Sequence, residues 1–120
     1  MVRISPDVGR NRILIQWSGA PSSAEAVAAE RELREALGRL RPPVDVLSDI
    51  RELDTMETFL AEDFRRLTAA LVSFGVKKIV RVVGKKALAA VHMERLSRHV
   101  PGHTAHLAFS LDEAEQVFGK

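Results

Sequence analysis

The chain has 120 residues, 46% apolar and 28% charged, as in an ordinary globular domain long enough to bury roughly two-thirds of its unfolded surface. Lys and Arg outnumber Asp and Glu only 18 to 16, too small a surplus to make nucleic acid the main partner, and the absence of cysteine excludes disulfides and thiolate chemistry. No apolar run is long enough to span a bilayer and MVRISPDVG lacks the apolar region of a signal peptide, so one cytoplasmic domain over residues 1–120, without membrane insertion, is the expectation.

In chain order, Val2 and Ile4 begin a short strand, and Pro6, Asp7, Gly9 and Asn11 supply turn chemistry. ILIQWSG follows as a second strand, antiparallel to the first. Ala20 and Pro21 end it. Ser22, with Glu25 three residues later, predicts a capping box. The helix it opens runs to about Leu40, with Ala26, Ala29, Leu33, Leu37 and Leu40 on one face. Glu30 with Arg34, and Glu35 with Arg39, are spaced for i,i+4 ion pairs. Arg41, Pro42 and Pro43 break the helix.

VDVLSDI then reads as a buried strand, ELD as a turn, and TMETFLAEDFRRLTAALVSF as one long helix. Leu60, Phe64, Leu67, Leu71 and Phe74 recur at helical spacing, and Gly75 stops the run as a residue free to take positive φ. VKKIVRVVG is a further strand, rich in β-branched residues. Residues 87 to about 99 form a third helix, HTAHLAF the last strand, and Ser110 with Glu113 opens a short final helix carrying Ala114, Val117 and Phe118. The order ββαβαβαβα predicts an α/β domain: a central, mostly parallel sheet of about five strands, the first antiparallel, with about four helices.

Taken together and in this order, ILIQWSG, VDVLSDIRELDTMETF, GVKKIVRVVG and FSLDEAEQVF resemble the STAS family, the anti-sigma-factor-antagonist domains and their SpoIIAA-like relatives, over nearly the whole chain. The resemblance implies a SpoIIAA-like fold and a non-enzymatic regulatory or protein-interaction domain. Its partner would be a protein, such as a regulatory kinase or an anti-sigma-like protein. In signalling members of that family, a loop reading Asp-Ser-Ser/Thr-Gly opens the second helix, and a partner kinase phosphorylates its first Ser. Laid on this chain, Glu57 falls on the Asp and Thr58 on the phosphorylated Ser, while Phe59 and Leu60 replace the small residue and the glycine. Thr58, Thr55, Glu57 and Asp54 are therefore the candidate phosphoacceptor or partner-binding residues. Phe59 would crowd an approaching kinase. Asp54 with Glu57 three residues on also reads as a helix cap. Capping outweighs a regulated phosphosite, and the resemblance then suggests a divergent member used for binding.

Lys77, Lys78, Arg81, Lys85 and Lys86 form the densest basic stretch. Lys85 and Lys86 follow a strand's C-terminal end and are candidate anion ligands; the resemblance, to a family with nucleotide- and lipid-binding members, implies the alternative of a small-ligand protein binding an anionic lipid or nucleotide. Solvated lysines in a turn are the plainer reading, and there is no Gly-rich phosphate loop. His103 and His106, three apart on a strand, face opposite ways, which argues against a shared metal. Asp49, at the end of a buried strand, is read as structural, with the lining of a pocket as the less favoured reading. No catalytic residue, metal or cofactor is expected. Both sheet edges need covering, and a homodimer is one way to do so.

Overall fold

The computed structural model describes residues 1–54, 61–84 and 105–119. Five strands form one sheet in sequence order: β1 (Val2–Asp7), β2 (Arg12–Gly19), β3 (Val44–Leu53), β4 (Val76–Val82) and β5 (Ala105–Ala108). β1 is antiparallel to β2, and every later pairing is parallel. Among the described residues there are three helices, α1 (Ser23–Leu37), α2 (Ala61–Phe74) and α3 (Leu111–Phe118). The helix expected at 87–99 lies outside the described residues, as do residues 55–60, where the second helix was expected to begin.

The hairpin turns through Asn11, whose φ of 52° is one that Asn tolerates better than most residues. Its side chain also ties the hairpin to the loop after α1. Asn11 Nδ2 donates to the carbonyl of Arg41 at 2.6 Å, and Oδ1 accepts from the Arg41 N–H at 2.9 Å.

α1 opens with the expected capping box. The Ser22 hydroxyl accepts from the Glu25 N–H at 3.1 Å, and the Glu25 carboxylate accepts from the Ser22 N–H at 3.2 Å. Two orphan donors of the first turn are thereby satisfied. The helix ends at Leu37 rather than Leu40, although Leu40 is buried beyond it. Arg39 therefore falls in the following turn, and Glu35–Arg39 is not among the ion pairs formed by the described residues. Glu30 does pair with Arg34 at 3.8 Å, and it also reaches Arg66 of α2 at 3.9 Å. At the far end of α2, Gly75 adopts φ 117° and donates its N–H to the carbonyl of Leu71, closing the helix as a C-terminal glycine should.

The larger core lies between the sheet and α1 with α2. It joins Ile13, Ile15 and Trp17 of β2, Val44, Val46 and Ile50 of β3, and Phe64, Leu67 and Leu71 of α2. A smaller core on the opposite face joins Leu47, Val80 and Val82 to Ala108 and Ala114, with Val117 and Phe118 of α3 packed on it. α3 is capped by Ser110, whose hydroxyl accepts from the Glu113 N–H. Its reciprocal bond is displaced by one residue, since Glu113 accepts from the N–H of Phe109 rather than that of Ser110.

β3 differs from expectation in its length. Glu52 and Leu53, read as part of a turn, continue the strand. Between Gln16 and Ser18 of β2 the partner on β3 advances from Asp49 to Glu52, so β3 carries one extra residue there. Such a bulge reverses the inside–outside alternation. Even-numbered Val44, Val46 and Ile50 face the larger core before it, and odd-numbered Leu53 joins the same core after it, fully buried. The broken alternation is what made this end of the strand look like a turn.

Candidate functional site

In a parallel sheet, the ends at which the strands finish share one rim; here β4 finishes at Val82 opposite Asp49, and β3 runs on past it to Leu53. Of the candidate residues, Asp54 is described and stands on this rim, exposed, one residue past β3. Its N–H donates to the carbonyl of Gly19 at 2.8 Å, which extends the β2–β3 ladder by one rung. Gly19 ends β2 with φ 64°, a conformation that favours glycine. Thr55, Glu57, Thr58, Lys85 and Lys86 lie outside the described residues.

Beside Asp54 the rim is organised by an ion pair that sequence reading missed. Asp49 is buried and accepts three hydrogen bonds from Arg51. The backbone N–H reaches Oδ1 at 3.2 Å, Nε reaches Oδ1 at 2.9 Å, and an Nη reaches Oδ2 at 2.8 Å. This is the two-pronged geometry that arginine makes with a carboxylate. Burial pushes the Asp49 carboxyl up, but the hydrogen bonds from Arg51 and its charge outweigh burial and hold it below the usual carboxylate range. The same bonds hold the Arg51 guanidinium above its ordinary value. Asp49 thus has the structural role expected of it, with the added detail that its partner is supplied by the bulge.

Gly84 seats the end of β4 on this feature. A Cβ there would lie 2.8 Å from the carbonyl oxygen of Arg51, so only glycine lets the two backbones come so close. A shallow cleft of about 120 Å³ opens next to the pair, between Arg3, Gln16, Asp49 and Glu52.

The basic stretch does not form one patch. Lys77 is exposed, Lys78 Nζ donates to the carbonyl of Val117 at 2.8 Å, and Arg81 is buried on the α1–α2 face. A strand sends alternate residues to opposite faces, and the register shift at the start of β4 turns Lys78 toward α3. Arg81 sits 5.9 Å from the centre of the Phe64 ring and, with Ser48 and Thr68, lines a cavity of about 20 Å³ beneath α2, room for a single water. Its burial had a legible signal, because Ile79, Arg81 and Val83 share one parity in β4 and both flanking residues face the core. His106 is exposed, and among the described residues no group of His, Asp and Glu is placed to hold a metal ion. No helix among the described residues is long and apolar enough to cross a membrane.

No protein-family model and no curated protein matches the chain. Solved structures do resemble it. An uncharacterised DUF3478-family protein with a SpoIIAA-like fold from Shewanella loihica superposes with a TM-score of 0.72 at 17% identity, over 98% of this chain and 91% of its own. An anti-sigma factor antagonist from Mycobacterium paratuberculosis gives 0.61 at 16% identity, over 100% and 94%. The anti-sigma factor antagonist SpoIIAA in its unphosphorylated form gives 0.59 at 12% identity, over 100% of both chains. At such identities the likeness speaks for architecture, and it agrees with the strand order, the antiparallel first strand and the mixed sheet described above. The chain has the SpoIIAA-like α/β fold.

Proposed function

We propose that this chain is a divergent STAS-type regulatory domain that docks a protein partner through the rim at residues 54–60 and catalyses no reaction. The observation that carries the reading is the end-to-end match to two anti-sigma factor antagonists, combined with the exposed position of Asp54 where β3 leaves the sheet. The Asp49–Arg51 pair and the Gly84 contact stiffen the base of this rim, as a docking edge requires. The departures at Phe59 and Leu60 favour constitutive docking over a phosphorylation switch at Thr58. The cleft beside the rim, at about 120 Å³, is smaller than the roughly 300 Å³ at which small-molecule sites begin, so it lends no weight to a lipid or nucleotide ligand.

A photo-cross-linking residue placed at Asp54 of the intact chain, in the cells that make it, tests the reading. The expected result is a discrete protein adduct from position 54 and none from Lys77, which is exposed at the opposite end of the sheet. Equal labelling from both positions, or none from Asp54, overturns it. Intact mass of the chain from the same cells is expected to show no phosphate on Thr58, and a largely phosphorylated chain would make the rim a switch instead.

A further inference from the structure

Six large apolar side chains stand exposed among the described residues, and three of them fall within five consecutive positions: Leu107 at 49%, Phe109 at 72% and Leu111 at 42%. They occupy every second position from β5 across the turn into α3. β5 ends the sheet order, so among the described residues no strand lies along its outer side. An open edge with apolar side chains beside it is a template for another strand. Phe109 is also held in place, since its N–H donates to Glu113 Oε2 at 2.8 Å and fixes the backbone against the start of α3. An aromatic side chain on a fixed backbone loses little freedom when it is covered, as a binding anchor should. Asp112 and Glu113 follow at once. Both are exposed, and neither belongs to an ion pair among the described residues.

We propose that the outer edge of β5, with Leu107, Phe109 and Leu111, docks an extended segment of a partner protein that carries apolar residues at alternate positions and Lys or Arg beside them. Size selects a segment over a second folded domain. Three partly exposed side chains offer roughly 300 Å² of apolar surface, well under the ~800 Å² per partner of a standard interface. Leu107 stands on the edge strand itself, with Phe109 and Leu111 just beyond its end, and a segment added along that edge would turn every second side chain to their side. The two carboxylates match a basic segment. This surface lies two strands away from Asp54 in the sheet order, so it stands or falls separately from the rim.

Short random peptides displayed on phage, selected against the intact chain and then synthesised, test the proposal. Enriched peptides are expected to alternate apolar residues and to carry Lys or Arg. Their binding by fluorescence anisotropy is expected to weaken about ten-fold in Phe109→Ala and about three-fold in Asp112→Lys, with each variant still folded by circular dichroism at the temperature of the assay. If Phe109→Ala does not fold, Asp112→Lys decides the matter alone. The proposal is overturned by a lack of enrichment, by peptides without alternation or basic residues, or by variants that bind as the parent does. It is also overturned by a dimer in sedimentation that Phe109→Ala splits, because the ridge would then be a self-contact.

Discussion

Each end of the sheet holds an arginine–carboxylate pair with one buried member, and the two pairs are built inside out relative to one another. At the end where β2 begins, the cation is buried. Arg12 is 9% exposed and bonds at 2.6 Å to Glu115, which is 46% exposed. The guanidinium also lies 3.9 Å over the ring of Phe118. At the rim where β3 finishes, the anion is buried, with Asp49 at 10% and Arg51 at 40%. The first pair fastens α3 across the sheet, since Glu115 and Phe118 both belong to that helix, and Lys78 adds a bond to the carbonyl of Val117. The second joins residues two apart on a single strand and fastens nothing across the rim. One ion pair ties a helix to the sheet, and the other stiffens the end of a single strand.

The largest effect should come from the interior at the rim where β3 finishes. Leu53→Ala removes a fully buried side chain from beyond the bulge, and the loss of contact with the cavity left behind should cost about 3 kcal/mol. Urea unfolding checks this. A cost below about 1 kcal/mol, as at an exposed turn, would mean that β3 stops before Leu53 and that the rim begins earlier.

That residue also marks where the sequence was legible. The capping box at Ser22, the glycine stop at Gly75, the antiparallel hairpin and the core faces of α1 and of α2 from Phe64 to Leu71 were readable, because each depends on local chemistry or on an unbroken repeat. The end of β3 was not, because one extra residue reverses the repeat without changing composition. Arg12 and Asp49 were hard to place for a related reason. A charge inside a strand gives no sign of its partner: that of Arg12 lies 103 positions away, and that of Asp49 sits on the bulge. Of the rim residues named from sequence, Asp54 is the one described, and it stands just past β3, which runs on to Leu53 where a turn was expected.

At the end where β2 begins, the contrast between the pairs predicts which partner matters more. Glu115→Ala leaves the Arg12 guanidinium buried without its carboxylate and should cost about 2 kcal/mol, below the usual ~3–5 for a stranded charge because water already reaches the Glu115 position. Arg12→Met leaves an exposed Glu115 that still has Arg10 at 3.3 Å, and it keeps an apolar stem against Phe118, so about 1 kcal/mol is expected. Thermal unfolding of both variants tests the order. If Arg12→Met is the worse of the two, packing rather than charge holds α3, and the clamp is misread.

The smallest effect, at the rim, is the most specific because it depends on pH. Burial alone would raise the Asp49 carboxyl, and Arg51 reverses that. In the parent protein the folded-state pKa lies below the unfolded one. The stabilisation from this group is therefore complete above about pH 4 and is lost as pH falls through the lower folded value. Arg51→Met removes two of the three hydrogen bonds and the charge, leaving the backbone N–H, so burial dominates and the carboxyl should move above its ordinary value. The sign then inverts: the variant gains stability relative to neutral pH as acid protonates Asp49. At pH 7 Arg51→Met should be less stable by about 1 kcal/mol, a figure kept small because water screens the half-exposed guanidinium. The difference should shrink steadily toward pH 4 and nearly vanish below it. Urea unfolding across that range, with Asp49→Asn as the variant that cannot titrate, separates the causes. A gap between the parent and Arg51→Met that does not change with pH would mean that Arg51 contributes packing alone, and the base of the rim would owe its stiffness to the Gly84 contact instead.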